Sequence, residues 1–540
     1  MKVADFFCGA GGFSEGFRQA GFEVAFALDN WKPAIATHEF NHPGCKHRLG
    51  DILKINPDFI DSVVPDTEVM VGSPPCVAFS HSNKAGKADK TLGLALIHKY
   101  LQIVAWKKNK QGSILKYWVM ENVPNSAEYV KERYTFKELG LPGGDKIALE
   151  IPKRTVFNAA DFGAPQTRKR FVCGDYPEPV KTNSSEGKWV WVKDIFAKLG
   201  SPSDQRKRKI EDPNHGFSIE SEYLTDHYYD TTVEEFEWKQ ARRLKEDHGY
   251  MGRMSFPEDL NRPSRTIMAT QSAVSRESMI LGTDKSGRYR LPTIREISSL
   301  MSFPITYQFI GANESTKYKL VGNAVCVKLS MALANAMAET SKLKLKVSPN
   351  PHSNMDAMIS ALPLNLNGRA YVKRAPPTRR LISRFRMHVP YLKIRGFRVE
   401  IDNLDSDFRN NKIVWKARLH HGGGKSAKMT ISDTDAIESL MSGDASFNTF
   451  KAEVGNGFLK EMPSNSIDLQ KKFCRIDSSW DFGPEEYLYK VRELVDRCYP
   501  ETSERLIDNN GDTIQIGRKE IPAKVLAALY ACQTLVERLS

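Results

Sequence analysis

Cys76 closes the stretch Val69-Met-Val-Gly-Ser-Pro-Pro-Cys76, in which an apolar run breaks at Gly72 and two prolines stiffen the chain before a single thiol. A thiol at the carboxyl edge of a strand in an open α/β sheet lies where such sheets hold their ligands. As a thiolate it can add to an electron-poor carbon; buried, it is only a small apolar group. The run Tyr117-Trp-Val-Met-Glu-Asn-Val-Pro124 reads as a second strand, delivering Glu121 and Asn122 to its end. A carboxylate directly after Trp-Val-Met faces a cleft more readily than a core. Next, Gln166, Arg168 and Arg170 alternate through Phe162-Gly-Ala-Pro-Gln-Thr-Arg-Lys-Arg-Phe171 into the apolar strand Phe171–Cys173. Inward arginines at strand spacing can bind an anion or a polar base edge, although a solvated edge strand gives the same pattern.

A second group of residues opens the chain. Val3-Ala-Asp-Phe-Phe-Cys-Gly-Ala-Gly-Gly-Phe-Ser-Glu-Gly-Phe17 is an apolar strand running through Gly9, Gly11 and Gly12 into a helix. Glycines at such a turn let the backbone approach a ligand and present amides at a helix start. A tight turn without a ligand is the plain alternative. The strand Glu23–Asp29 ends in an acid about twenty residues on, a position suited to a ribose hydroxyl pair. Gly50-Asp51-Ile52 marks a third βα turn. No Lys-Ser/Thr pair follows the glycines, so the pocket reads as adenosine-type and not as a phosphate cradle.

These motifs need an element order to bring them together. Strands and helices alternate from Met1 to about Thr340, predicting a Rossmann-like, doubly wound, mostly parallel sheet. Arg290–Pro304 reads as an amphipathic helix stopped by its last proline, and Leu320–Val327 as the opening of a last apolar helix. Ser80–Leu94, rich in Ser, Gly and Lys, reads as a mobile loop, and Lys188–Leu199 as a strand and helix of the same frame.

The ordered blocks resemble the bacterial cytosine-5 DNA methyltransferases. They are the DFFCGAGGF opening, the acid after the second strand, the GDI turn, the PPC loop, the ENV strand, the QTRKR strand, the LPTIREISSLMSFP helix and the GNAV segment. The resemblance implies S-adenosylmethionine as methyl donor, no metal, and double-stranded DNA as substrate, with the target base flipped out. It makes Cys76 the nucleophile toward carbon-6 and places Glu121 on the ring nitrogen and exocyclic amine. Arg170 would hold the base and order Glu121, and Arg168 would secure the pocket or a phosphate. Phe7 would stack on adenine, Asp29 bind the ribose and Asp51 the adenine amine. Gly9, Gly11, Gly12, Ile52, Pro75 and Asn323 would complete the donor pocket. The sequence departs from the family at Pro74 and Val77, where an aromatic and Gln are common, and at Cys326, where proline is frequent. A double proline before the nucleophile also resembles the tRNA-modifying branch. An RNA cytosine-5 methyltransferase and an inactive DNA-binding homologue are therefore the alternative functions.

Composition bears on the partners. The 540 residues carry a formal net charge of +13, which favours polyanions. Eight cysteines include no CxxC pair, pointing away from a zinc site or disulfide framework and toward a reducing, cytoplasmic compartment such as the bacterial nucleoid region. No apolar run was expected to span a bilayer, and Met1-Lys2 leads straight into a strand, without a signal peptide. We divide the chain into a catalytic domain (1–200 and 262–340), a target-recognition region (201–261), a linker (341–354) and an α+β C-terminal accessory domain (355–540). Residues 341–430 hold 19 Lys and Arg against 5 acids, whereas 431–540 hold 13 against 19. The basic half is expected to touch nucleic acid. A cognate restriction or defence protein is a candidate partner of this domain. A fused nuclease, suggested by His420, His421, Glu400, Asp402 and Asp405, lacks a convincing acid–acid–lysine spacing.

Overall fold

The computed structural model describes residues 1–75, 90–182, 188–247, 253–282, 288–343, 349–422, 427–476, 482–500, 505–509 and 512–539. It divides into two compact units, Met1–Ala241 with Ser255–Val372, and Arg242–Met254 with Lys373–Ser540.

The first unit is built on seven strands: β1 Lys2–Phe6, β2 Glu23–Asp29, β3 Lys46–Leu49, β4 Val69–Gly72, β5 Tyr117–Asn122, β6 Lys153–Asn158 and β7 Lys169–Asp175. Their order is β3-β2-β1-β4-β5-β7-β6. The first five run parallel, and β7 is antiparallel to both β5 and β6. Strand β4 is buried at all four positions, and β1 at all but its first. Burial on both faces explains why these strands read as unbroken apolar runs. The chain winds outward from β1 to β3, then restarts at β4 on the other side of β1. This reversal opens a crevice beyond the carboxyl ends of β1 and β4, the place where doubly wound sheets bind ligands.

Helices α1 Gly12–Gln19 and α2 Lys32–Asn41 follow β1 and β2, and α3 Thr91–Asn109 precedes β5. Tyr100 on α3 donates to the Val119 carbonyl at 2.8 Å, tying helix to sheet. Thr91–Leu94, expected within a loop, is the first turn of α3; the rest of that expectation, up to residue 89, lies outside the described residues. Residues 188–191 form no strand, and helix α4 is Val192–Leu199.

Helix α5, Ile294–Leu300, is buried at every position and is not amphipathic. Its charges are paired inside. Arg290 grips Glu296 at 2.7 Å, and Arg295 donates to the carbonyls of Thr225 and Tyr307. The GNAV segment also differs from expectation. It ends helix α6, Glu314–Asn323, and after Ala324–Cys326 helix α7 runs from Val327 to Thr340. The span Glu314–Thr340 is apolar enough to cross a membrane, but it is broken here and mostly buried within the protein.

The first unit reaches Val372, so residues 349–354, expected as linker, and 355–372, expected in the accessory domain, pack as part of it. Leu366 enters its core, and Asp226 explains why. That buried carboxylate pairs with Lys317 at 2.7 Å and accepts from the Leu366 amide, while Lys317 also donates to the Leu364 carbonyl.

The second unit holds an antiparallel sheet, β8 Arg386–His388, β9 Phe397–Asp402, β10 Lys416–His421 and β11 Lys428–Thr430. Val399, Ile401, Ala417 and Leu419 share a core with the long helix α8, Ala523–Leu539. The expected α+β domain is present. On the opposite face Glu400 accepts from Arg386 and Arg398 and lies 2.9 Å from His420. Arg418 bridges Asp402 and Asp405. These acids are neutralised by cations, an arrangement of a structural ion network and not of a nuclease metal site.

Candidate active site

Four segments meet at the carboxyl ends of β1, β2, β4 and β5. After β1 the chain turns sharply at Phe7, whose φ is +56°. Ser73, just past β4, donates from its amide to the Phe6 carbonyl (3.1 Å) and from its hydroxyl to the Phe7 carbonyl (3.1 Å). Asp29 ends β2 and accepts from the amides of Gly9 (2.9 Å) and Trp31 (2.8 Å). Burial raises its pKa, and those amides pull it back down. The Gly50 amide donates to the Asp29 carbonyl, placing the GDI turn beside it. There Asp51 accepts from the Leu53 amide at 3.0 Å, and Ile52 is buried.

The three glycines of the first turn do different work. Gly9 takes a φ of +53°, and a Cβ there would meet nothing nearer than the Phe7 carbonyl oxygen at 3.9 Å. A Cβ on Gly11 would lie 2.4 Å from the Tyr307 hydroxyl, and one on Gly12 2.1 Å from the Val325 carbonyl oxygen. Only Gly9 therefore leaves room for a ligand over its Cα; Gly11 and Gly12 admit the close packing of neighbouring chain.

Glu121, the last but one residue of β5, lies opposite Val172, and Arg170 sits two residues earlier on antiparallel β7. The Arg170 Nε lies 2.8 Å from Glu121 Oε1. Burial raises the Glu121 pKa, with Arg170 and then Arg168 opposing it. The neighbouring Asn122 donates to the Pro74 carbonyl at 3.1 Å. This bond fixes the chain two residues before Cys76, which itself lies outside the described residues. Pro75 is described and exposed. Asn122 was legible as a strand-end residue; its tether to Pro74 was not.

Arg168 does not face the crevice. It is 3% exposed and donates to the carbonyls of Ile267 (3.0 Å), Gly322 (3.0 Å) and Ala324 (3.1 Å). It thereby clamps the break between α6 and α7, where exposed Asn323 sits, against the start of β7. A pocket or phosphate role for Arg168 is replaced by a positioning one. Gln166 is buried beside it and accepts from the Ile267 amide. Cys326 packs inward, its thiol on the Met301 carbonyl.

Residues 1–339 match the sequence family described as C-5 cytosine-specific DNA methylase. The chain belongs to that family. Type II methyltransferase M.MthTI of Methanothermobacter thermautotrophicus is 29% identical over 355 residues, covering 62% of this chain and 96% of that protein. Type II methyltransferase M.HgiDI of Herpetosiphon aurantiacus is 30% identical over 342 residues, covering 62% and 94%. Among solved structures, Dnmt2 methyltransferase of S. pombe aligns at 16% identity and a TM-score of 0.43, over 64% of this chain and all of that one. This methylase accordingly acts on cytosine carbon-5 in DNA, with S-adenosylmethionine as co-substrate. The crevice suits that molecule: Gly9 leaves space, and the Asp29 carboxylate is held by amides at its rim.

Proposed function

We propose that this methylase modifies a flipped-out cytosine in double-stranded DNA through a covalent Cys76 adduct, as the protective partner of a restriction system. The Glu121–Arg170 pair beside the Asn122–Pro74 tether carries the mechanistic reading, because it gathers a carboxyl group, a guanidinium and the chain leading to Cys76 at the carboxyl ends of β4 and β5. Cytosine carbon-5 is too poor a nucleophile to take a methyl group unaided. The Cys76 thiolate forms a bond to carbon-6, and the ring electrons move toward carbon-5 and the ring nitrogen. Glu121, its pKa raised by burial, hands a proton to that nitrogen as charge develops. Arg170 orients Glu121 and presses its guanidinium edge on the base. Bound S-adenosylmethionine supplies the methyl group that carbon-5 takes. A water molecule acting as base then takes the carbon-5 proton, the carbon-6–sulfur bond breaks to expel the Cys76 thiolate, and the ring nitrogen returns its proton to Glu121, which restores the ring.

Phe7, Asp29 and Asp51 are the residues that would hold the donor's adenine and ribose. The restriction context follows the names of the similar Type II methyltransferases. Residues 201–261 would read the target, and the basic half of the second unit would grip phosphates. Bisulfite sequencing of DNA from cells expressing the chain tests this reading: protected cytosines at one recurring site are expected. Methyl incorporation into tRNA but not DNA would instead favour the RNA branch that the Pro74-Pro75 pair resembles.

A further inference from the structure

On the helix-covered side of the sheet, His38 on α2, Cys45 in the turn after it and His47 on β3 converge. One donor atom from each lies within 4.8 Å of the other two. The hydrogen bonds around His38 settle its tautomer. Asp5 Oδ2 accepts from both the amide (3.2 Å) and the hydroxyl (2.7 Å) of Ser14. With Asp5 ionised, the single hydroxyl proton is committed to it, so the Ser14 oxygen accepts from His38 Nε2, 2.8 Å away. His38 is fully buried and its pKa is pulled down to about 3, chiefly by desolvation. A neutral ring protonated on Nε2 presents a bare lone pair on Nδ1. That lone pair points at His47 Nε2 across 2.8 Å, with the Cys45 sulfur alongside.

We propose that His38, Cys45 and His47 bind a divalent cation of the zinc class. The donor set, two imidazole nitrogens and one sulfur, suits a borderline cation and not magnesium or calcium. The outer contacts match as well, because a metal-binding histidine usually gives its other N–H to an oxygen that a carboxylate orients, as Ser14 and Asp5 do here. With metal–nitrogen bonds of about 2.0–2.1 Å and a metal–sulfur bond of about 2.3 Å, tetrahedral ligands stand roughly 3.3–3.6 Å apart. His47 must therefore retreat by about half an ångström, and the Cys45 sulfur, within 4.8 Å of both nitrogens, must close by up to about 1.2 Å. His47 is half-buried, which gives an entry path and leaves the remaining coordination position to water. His42, just past the end of α2, is directed elsewhere, to the Tyr307 hydroxyl at 3.3 Å and Glu15 at 3.9 Å. The His-x6-Cys-x-His spacing escapes a search for paired cysteines, which is why the sequence pointed away from zinc.

The test uses the full-length chain without an affinity tag, stripped with a chelator and titrated with Zn²⁺ by calorimetry and with Co²⁺ by absorption. One equivalent per chain, micromolar or tighter, and a thiolate-to-cobalt charge-transfer band are expected. Cys45→Ser should abolish the band, and Cys45→Ser and His47→Asn should each weaken Zn²⁺ at least tenfold while circular dichroism stays unchanged. Should either variant misfold, the presence or absence of the cobalt band in the parent chain decides. No binding, or binding indifferent to both substitutions, overturns the site.

Discussion

Arg170 Nε approaches Glu121 Oε1 to 2.8 Å across two antiparallel strands, so each side chain is positioned by the other and by the sheet beneath. Because Arg170 lowers a Glu121 pKa that burial raises, replacing it should drive that pKa higher still. In Arg170→Met, the limb of the kcat/KM pH profile belonging to Glu121 should move to higher pH. The rate itself should fall by about 10²–10³, as for loss of one aimed donor. Glu121→Gln should lose about 10²–10⁴ and abolish that limb altogether. Unchanged profiles in both variants would remove Glu121 from the proton transfer.

Arg168 stands two residues away and should behave differently. Its guanidinium satisfies three buried carbonyls, so Arg168→Met leaves them unpaired. A loss of about 3 kcal/mol in unfolding free energy is expected. Donor binding and turnover should fall with stability, whereas Arg170→Met should unfold at nearly the parent temperature. Equal melting temperatures for the two variants would contradict the clamp.

Asp5 has a pH-dependent cost. Burial raises its pKa from 3.8 to about 7, so the folded state holds a proton that the unfolded chain has released. Its contribution is complete below about pH 4 and is lost as pH rises through about 7. The gap amounts to at most roughly 4 kcal/mol. Asp5→Asn keeps an acceptor for Ser14 and cannot ionise. Denaturant melts at pH 5 and pH 8 should show the variant gaining on the parent only at the higher pH; parallel behaviour would assign the dependence to another group.

The glycine turn separates packing from binding. Gly12→Ala puts a methyl group 2.1 Å from the Val325 carbonyl and should cost about 1–3 kcal/mol or prevent folding. Gly9→Ala makes only an ordinary 3.9 Å contact with the Phe7 carbonyl oxygen and costs about 1 kcal/mol for its φ of +53°. It should fold and lose S-adenosylmethionine affinity. Calorimetric titration of the two purified proteins distinguishes these effects.

Strands β1, β2, β4 and β5 were readable because central parallel strands are buried on both faces and leave unbroken apolar runs. Glu121, Asn122 and Arg170 were readable because they interrupt such runs at strand ends. Arg168 was not, since strand spacing assigns a face and says nothing of the carbonyls that α6 and α7 bring to it. Helix α5 read as amphipathic because sequence alone does not reveal that Arg290, Thr225 and Tyr307 satisfy its charges internally. The packing of 349–372 was hidden for a similar reason: it depends on the buried Asp226–Lys317 pair, two residues 91 apart.

That last contact decides how the basic segment should be tested. Truncation at residue 347 would strip Leu366 from the first unit's core, and the second unit also contains Arg242–Met254, so a deletion confounds DNA binding with folding. Charge reversal at exposed positions avoids this. Residues 367–399 contain ten Lys and Arg and no acid. Lys373, Arg380 and Arg384 are exposed among them. Each phosphate contact contributes about 0.9 to the slope of log affinity against log salt. The triple variant Lys373→Glu, Arg380→Glu, Arg384→Glu should therefore flatten that slope by roughly 2–3 and weaken binding most at low salt. Because phosphate contacts carry no base information, cognate and unrelated duplexes should weaken by similar factors. An unchanged slope would assign this surface to a partner other than DNA.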